Sequence, residues 1–356
     1  MTPWVARIAA AVAFAVWLGG CGLVHHDVHS YAQEPFPKKL SDWHLYTSTR
    51  DGLAPNAGVV PYDLNTPLFS DYASKHRFVW MPPGTHAEYR DDGPLEFPTG
   101  TILSKSFGFP MRADGHEKLI ETRLLVRTQA GWIPLPYVWN DSQTEATLQL
   151  VPDPAHVTWT DAAGRHRDFS YHIPNTNECR QCHDHNRELQ PIGVKARNLN
   201  KDYDYGASGR SNQIAYWSKV GYLSGAPALA SVPRAAKWDD PASGSLDDRA
   251  HAYLDNNCAH CHQPGGAASY SAVDFRYTQR ELGYSGLCKA PASAGDVGHT
   301  EYDLVPGHPE DSVMLYRMKS TEPKVMMPQF GRTVVHEEGV ALIREWIAAM
   351  PAQKCN

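Results

Sequence analysis

Two short stretches hold the residues best suited to chemistry. Cys179-Arg180-Gln181-Cys182-His183 and Cys258-Ala259-His260-Cys261-His262 both read C-x-x-C-H. Two thiols three positions apart can bond the two vinyl groups of one haem, and the adjacent histidine then reaches the iron. The spacing therefore predicts two haem c groups. Cys179 and Cys182 would attach the first, Cys258 and Cys261 the second, with His183 and His262 as proximal iron ligands. A zinc site built from two CxxC pairs and a redox dithiol are the alternatives. Zinc ribbons separate their pairs by roughly 15–20 residues. Here 75 residues lie between Cys182 and Cys258, and zinc gives no reason for a histidine after both pairs.

Each iron has a second axial position. For the second haem, Met327 is the predicted distal ligand. Pro328 disfavours helix at the preceding residue and so presents the thioether. Met326 is the alternative, followed by Met314, Met318, His299 and His308. For the first haem no Met occurs between its motif and residue 240. His172, His185, Met81 and Met111 remain as candidates, beside an open iron site.

The elements around the motifs follow from periodicity. From residue 60 to 175 the pattern is mostly period two, which predicts an antiparallel sheet. Residues 101–107, 118–128, 133–139, 144–151, 157–159 and 169–173 read as strands. In the second of these Ile120, Thr122, Leu124 and Val126 share one face, and Glu121, Arg123 and Arg127 the other. A short helix is predicted over residues 67–75, where Thr66-Pro67 resembles a cap followed by Pro at the first helical position. Another is predicted over 213–223. In the C-terminal part, Ser245 is a candidate cap for a helix running into Cys258, and residues 337–350 form an amphipathic helix. Helix, CxxCH, Met-bearing loop and closing helix is the order of a class I cytochrome c. The predicted fold is thus α+β and multidomain. An antiparallel β-rich region with the first haem site spans 59–240, and an all-α cytochrome c-like domain spans 241–356.

The N-terminus reads as an address. Arg7 precedes an apolar run over residues 8–18, too short to span a bilayer comfortably. Leu18-Gly19-Gly20-Cys21 resembles a lipobox, so residues 1–20 are expected to be removed and Cys21 to carry lipid. Residues 21–58, with Pro35, Pro37 and Pro55, read as a tether. Export places the other cysteines in an oxidising compartment, and the leftover pair Cys288 and Cys355 then predicts a disulfide. Two unpaired thiols are the alternative. Gly22 in place of Asp points to the outer membrane, with the protein facing the periplasm.

The chain has 356 residues, with 10 Trp, 17 Tyr and 10 Phe, which excludes wholesale disorder. Its 33 basic and 39 acidic residues are mixed along the chain, so no basic stripe marks a nucleic-acid partner.

Several segments resemble a family of exported dihaem c-type cytochromes, some of which occur with a parallel β-helix repeat protein. They include residues 66–72 (TPLFSDY), 97–101 (FPTGT), 121–125 (ETRLL), 137–140 (YVWN), the first CxxCH, and the stretch from Pro191-Ile192-Gly193 to Leu199-Asn200. The resemblance runs from about residue 60 to the end. It implies haem binding and electron transfer, with redox proteins of the cell envelope as partners, and no substrate. The order of β-region and CxxCH also faintly resembles β-sheet cytochromes of the c′-beta type, whose iron has an open site. The expected function is therefore an electron carrier. The alternative is a haem redox enzyme, peroxidase-like or reducing a small molecule, with an open first haem fed by the second.

Overall fold

The computed structural model describes residues 27–31, 33–48, 53–111, 116–161, 164–292 and 297–355. The expected signal segment and Cys21 lie outside them. The fold is α+β. Its largest unit is an antiparallel meander of six strands in chain order: β1 (Val60–Tyr62), β2 (Ser74–Trp80), β3 (Ile102–Phe109), β4 (Lys118–Thr128), β5 (Gly131–Trp139) and β6 (Ala146–Leu148). A separate hairpin follows, β7 (Ala155–Thr160) with β8 (His166–Tyr171). The helices that matter for the site are α1 (Thr176–His183), α2 (Gln213–Lys219), α3 (Leu246–Asn257), α4 (Val313–Lys319) and α5 (Glu337–Ala348). Among the described residues no helix is long and apolar enough to cross a membrane.

Alternation in the strands is only half visible in the sequence because both faces of the sheet are covered. On one face Leu124, Val126, Leu135 and Tyr137 pack against Val28, Leu40, Trp43 and Leu45. Trp43 is fully buried and donates from Nε1 to the Tyr137 hydroxyl at 2.7 Å. On the other face Val79, Leu103 and Leu125 meet Val194, Leu199, Ile214 and Trp217. The described part of the segment expected to be a tether is therefore not a free linker: Val28, Leu40, Trp43 and Leu45 join the core and cover an otherwise bare sheet face, while most of its other residues are exposed.

Three local expectations also change. Residues 67–75 form no helix. Thr66 Oγ1 is taken up by the Ala236 carbonyl and the Trp238 N–H rather than by a helix start, and Asp71 and Tyr72 both have positive φ. The strand expected over 144–151 is ordered only as Ala146–Leu148, with Leu150 and Val151 exposed. Ile120 leaves the face of Thr122, Leu124 and Val126, because a bulge at Phe107/Gly108 leaves it unpaired. It packs instead with Val157 and Tyr171 of the hairpin.

The C-terminal part is helical. Ser245 and Asp248 form a reciprocal capping box at the start of α3. α3 and α5 pack through Ala250, Tyr253, Leu254, Val340, Ile343 and Ile347. Trp346 Nε1 of α5 donates to Asp247 Oδ1 of α3 at 2.9 Å. Cys288 and Cys355 are joined by a disulfide.

The two parts are stitched along a polar seam. Segment 65–72 crosses it: Phe69 N–H donates to Asn257 Oδ1 at 2.8 Å, and Asp71 accepts from Thr333 N, Thr333 Oγ1 and Val334 N at 2.7–2.9 Å. Asp255 of α3, 1% exposed, accepts two 2.9 Å bonds from Lys195 and lies beside Arg197.

Candidate functional site

The first CxxCH lies on α1 itself. Pro174 sits upstream of the helix, and Asn175 starts it with a capping box: its Oδ1 accepts from the N–H groups of Asn177 and Glu178, and Glu178 accepts from the Asn175 N–H. This two-turn helix carries Cys179, Cys182 and, at its end, His183. The second CxxCH begins at the C-cap of α3 and continues as a tight turn, with the N–H groups of Cys261 and His262 both donating to the Cys258 carbonyl.

Both terminal histidines are held in the same way. His183 Nδ1 is 2.6 Å from the Gln190 carbonyl, which can only accept. His262 Nδ1 is 2.9 Å from Ser271 Oγ, whose proton is donated to the Ala268 carbonyl. In each ring Nδ1 therefore carries the hydrogen, and Nε2 keeps its lone pair. Burial pulls both imidazoles down to about 4, so they are neutral near pH 7. Two neutral imidazoles, oriented through Nδ1 and offering Nε2, are what iron ligation needs.

Each motif opens on its own cavity. The one beside the second motif measures about 250 Å³ and is lined by Cys258, Cys261, His262 and Met327 together. Met314 and Met318 also line it, whereas Met326 is buried away from it. His299 and His308 do not line it. The Met327 loop is drawn in by Arg332, which is 5% exposed. Its guanidinium donates to the carbonyls of Met327 at 2.9 Å and Ser320 at 2.8 Å.

The cavity beside the first motif measures about 150 Å³ and is lined by Cys179, Cys182 and His183. Its sheet wall presents Arg77, Lys105 and Arg123. None of the four side chains expected as a sixth ligand lines it. His172 bonds Glu178, His185 bonds the Pro264 carbonyl and Gln190, Met81 is core, and Met111 packs beside the hairpin.

The two motifs are neighbours in space. Cys261 Sγ lies 4.0 Å from the Gln181 carbonyl, beside Cys182. Cys182 and His260 line both cavities. Asn186 N–H donates to the Gly265 carbonyl at 2.8 Å, and His185 Nε2 to that of Pro264 at 3.1 Å. At this junction Gly265 has a positive φ that a side chain would strain, and a Cβ on Gly266 would stand 2.4 Å from the Cys261 carbonyl oxygen.

The residues present fit covalently attached haem: each cavity brings two thiols and one oriented imidazole together. They do not form a zinc cage, since no three His, Cys, Asp or Glu side chains among the described residues converge on one point. Sequence reasoning missed the cationic row Arg77–Lys105–Arg123, the shared position of His260 and the buried Asp255. Of these the sequence marks Arg123, as part of the polar face of its strand, and Arg123 lines the first cavity. Comparison with known proteins gives no family model, curated relative or solved structure that matches the chain.

Proposed function

We propose that this protein is a dihaem c-type cytochrome that carries electrons in the bacterial cell envelope. The observation that carries the proposal is the paired geometry: two CxxCH turns, each on its own cavity, with both histidines tied at Nδ1 and the two cavities sharing a wall. Haem, when bound, supplies reversible one-electron exchange at its iron. Cys179, Cys182, Cys258 and Cys261 hold the two groups covalently, and His183 and His262 are the proximal ligands. Met327 is the distal ligand of the second haem, and His/Met ligation raises reduction potential relative to bis-His. Cys182 and His260 fill the space between the sites, which keeps the path for an electron short.

Under the same proposal the helical part from residue 241 is a class I cytochrome c-like unit, supported by the packing of α3 on α5 around the second motif. The chain is an exported lipoprotein anchored through Cys21, and its leader directs it to the periplasmic face of the outer membrane. Its partners are envelope redox proteins, in line with the resemblance of its segments to exported dihaem cytochromes.

The test is a covalent haem count on protein made with a haem-attachment system. The wild type should carry two haems per chain. Cys179→Ala/Cys182→Ala and Cys258→Ala/Cys261→Ala should each carry one. A wild-type count below two refutes the proposal.

A further inference from the structure

We propose that the Lys105 side-chain amine is the sixth ligand of the first haem iron. This rests on the dihaem reading and supplies a ligand where none of the four candidates read from the sequence lines the cavity. Strands β2, β3 and β4 place Arg77 directly across from Lys105, and Lys105 directly across from Arg123. All three line the first cavity. Like charges directly opposite one another in a sheet destabilise it, and burial sharpens the penalty. The row is tolerable only if its charges are answered.

Two of them are. Arg77 Nη1 pairs with Asp63 at 2.9 Å, and Arg123 Nε with Glu121 at 2.8 Å. Among the described residues no carboxylate lies within ion-pair distance of Lys105; its Nζ stands over the Phe107 ring, 4.7 Å from the centroid, and Glu121, already paired with Arg123, acts on it only through space. It is surrounded by protein yet keeps accessible surface, because that surface faces the cavity. Burial first, then Arg77, Lys75 and Arg123, push the amine well below the usual lysine range. A neutral amine has a lone pair and no charge to answer. It is also a good donor to iron.

The geometry leaves Lys105 as the ligand from the sheet wall, while His183 comes from α1. His260 also lines this cavity, but it touches Cys182 at the attachment edge and belongs to the second motif. Ligation resolves the cationic row: both arginines keep their carboxylates, and the amine lone pair is used by the metal. It also sets an order. An amine favours ferric iron more than a thioether does, so the first haem should have the lower potential and pass electrons to the Met327 side.

The test uses the loaded full-length protein, with its haem count, ferric EPR and near-infrared spectra. In the wild type both irons should be low-spin. Lys105→Ala should convert one of the two, half of the total haem, to a high-spin signal, while Met327→Ala changes only the other. Lys105→Met should restore a low-spin iron and add a second Met–iron charge-transfer band, which a merely misfolded variant would not do. Three results overturn the assignment: a high-spin first haem in the wild type, two low-spin haems in Lys105→Ala, or a wild-type spectrum in Lys105→Arg. The last would show that the charge matters, toward haem propionates or another anion, rather than the lone pair. Fewer than two haems in the wild type would instead defeat the dihaem reading, and the ligand assignment with it.

Discussion

Arg332 controls how easily the Met327 loop opens, and Arg332→Ala measures by how much. The guanidinium is buried beneath the loop, with its closest bonds to the carbonyls of Ser320 at 2.8 Å and Met327 at 2.9 Å. Longer contacts at 3.3–3.4 Å reach the carbonyls of Met318, Val334 and Arg317. A hydrogen bond from a charged donor contributes about 1.5–3 kcal/mol, and removing the donor leaves buried carbonyls unsatisfied. Against this stands the desolvation of the cation, seen in the lowering of its pKa by burial. The balance for the loop is about 3 kcal/mol, or about a hundredfold in the equilibrium between closed and open. Under the proposed ligation cyanide would report that opening, since it would have to displace Met327 from ferric iron. Its affinity for the second haem should rise by about that factor, and the Met–iron band should weaken. Arg332→Lys should fall between, because a point charge cannot reach carbonyls on several sides. Cyanide affinity within about threefold of wild type, with the band intact, would refute the assigned role of Arg332.

Other perturbations probe the seam and the scaffold. Asp255→Asn strands Lys195 and Arg197 without their buried counter-charge and should cost about 3–5 kcal/mol in urea unfolding; a change under about 1 kcal/mol would contradict the seam's importance. The Cys288–Cys355 bridge closes a separation of 67 residues, so Cys288→Ser/Cys355→Ser should lose up to about 4 kcal/mol by chain entropy. Reductant should then no longer affect the melting temperature. His336 stacks on Phe69 at 4.1 Å and is lowered to about 4, chiefly by burial. Its folded pKa lies below its unfolded value, so it contributes stability above pH 6.5 that is lost as pH falls toward 4. The loss is about 3 kcal/mol. His336→Phe should flatten that part of the urea midpoint against pH, and an unchanged slope would exclude His336 as the titrating group.

The chemistry-bearing motifs were legible because covalent spacing is local: CxxCH is readable from five residues. Helices α3 and α5 were legible for a similar reason, since the Ser245 cap and the apolar spacing of Val340, Ile343 and Ile347 are contained in their own segments. What stayed hidden depends on partners distant in the chain. Residues 66–72 look like a helix start, but Thr66, Phe69 and Asp71 are bonded to Ala236, Asn257 and Thr333 across the seam. Trp43 reads as part of a linker until Tyr137 is placed beneath it. Arg123 reads as solvent-facing until β2 and β3 are brought alongside, when its polar face becomes the wall of a cavity.

Cys261 Sγ sits 4.0 Å from the carbonyl of Gln181, the residue next to Cys182, and this closeness of the two motifs bears on the order of maturation. In a chain that folded before loading, these two thiols would meet in an oxidising compartment. A bridge between them would form by loss of two electrons and two protons to the compartment's thiol oxidant. Each motif would then keep a single thiol, Cys179 or Cys258, and neither could complete two thioether bonds. Under the dihaem proposal, attachment would therefore have to precede closure of the seam, with the motifs kept apart or reduced until both are filled.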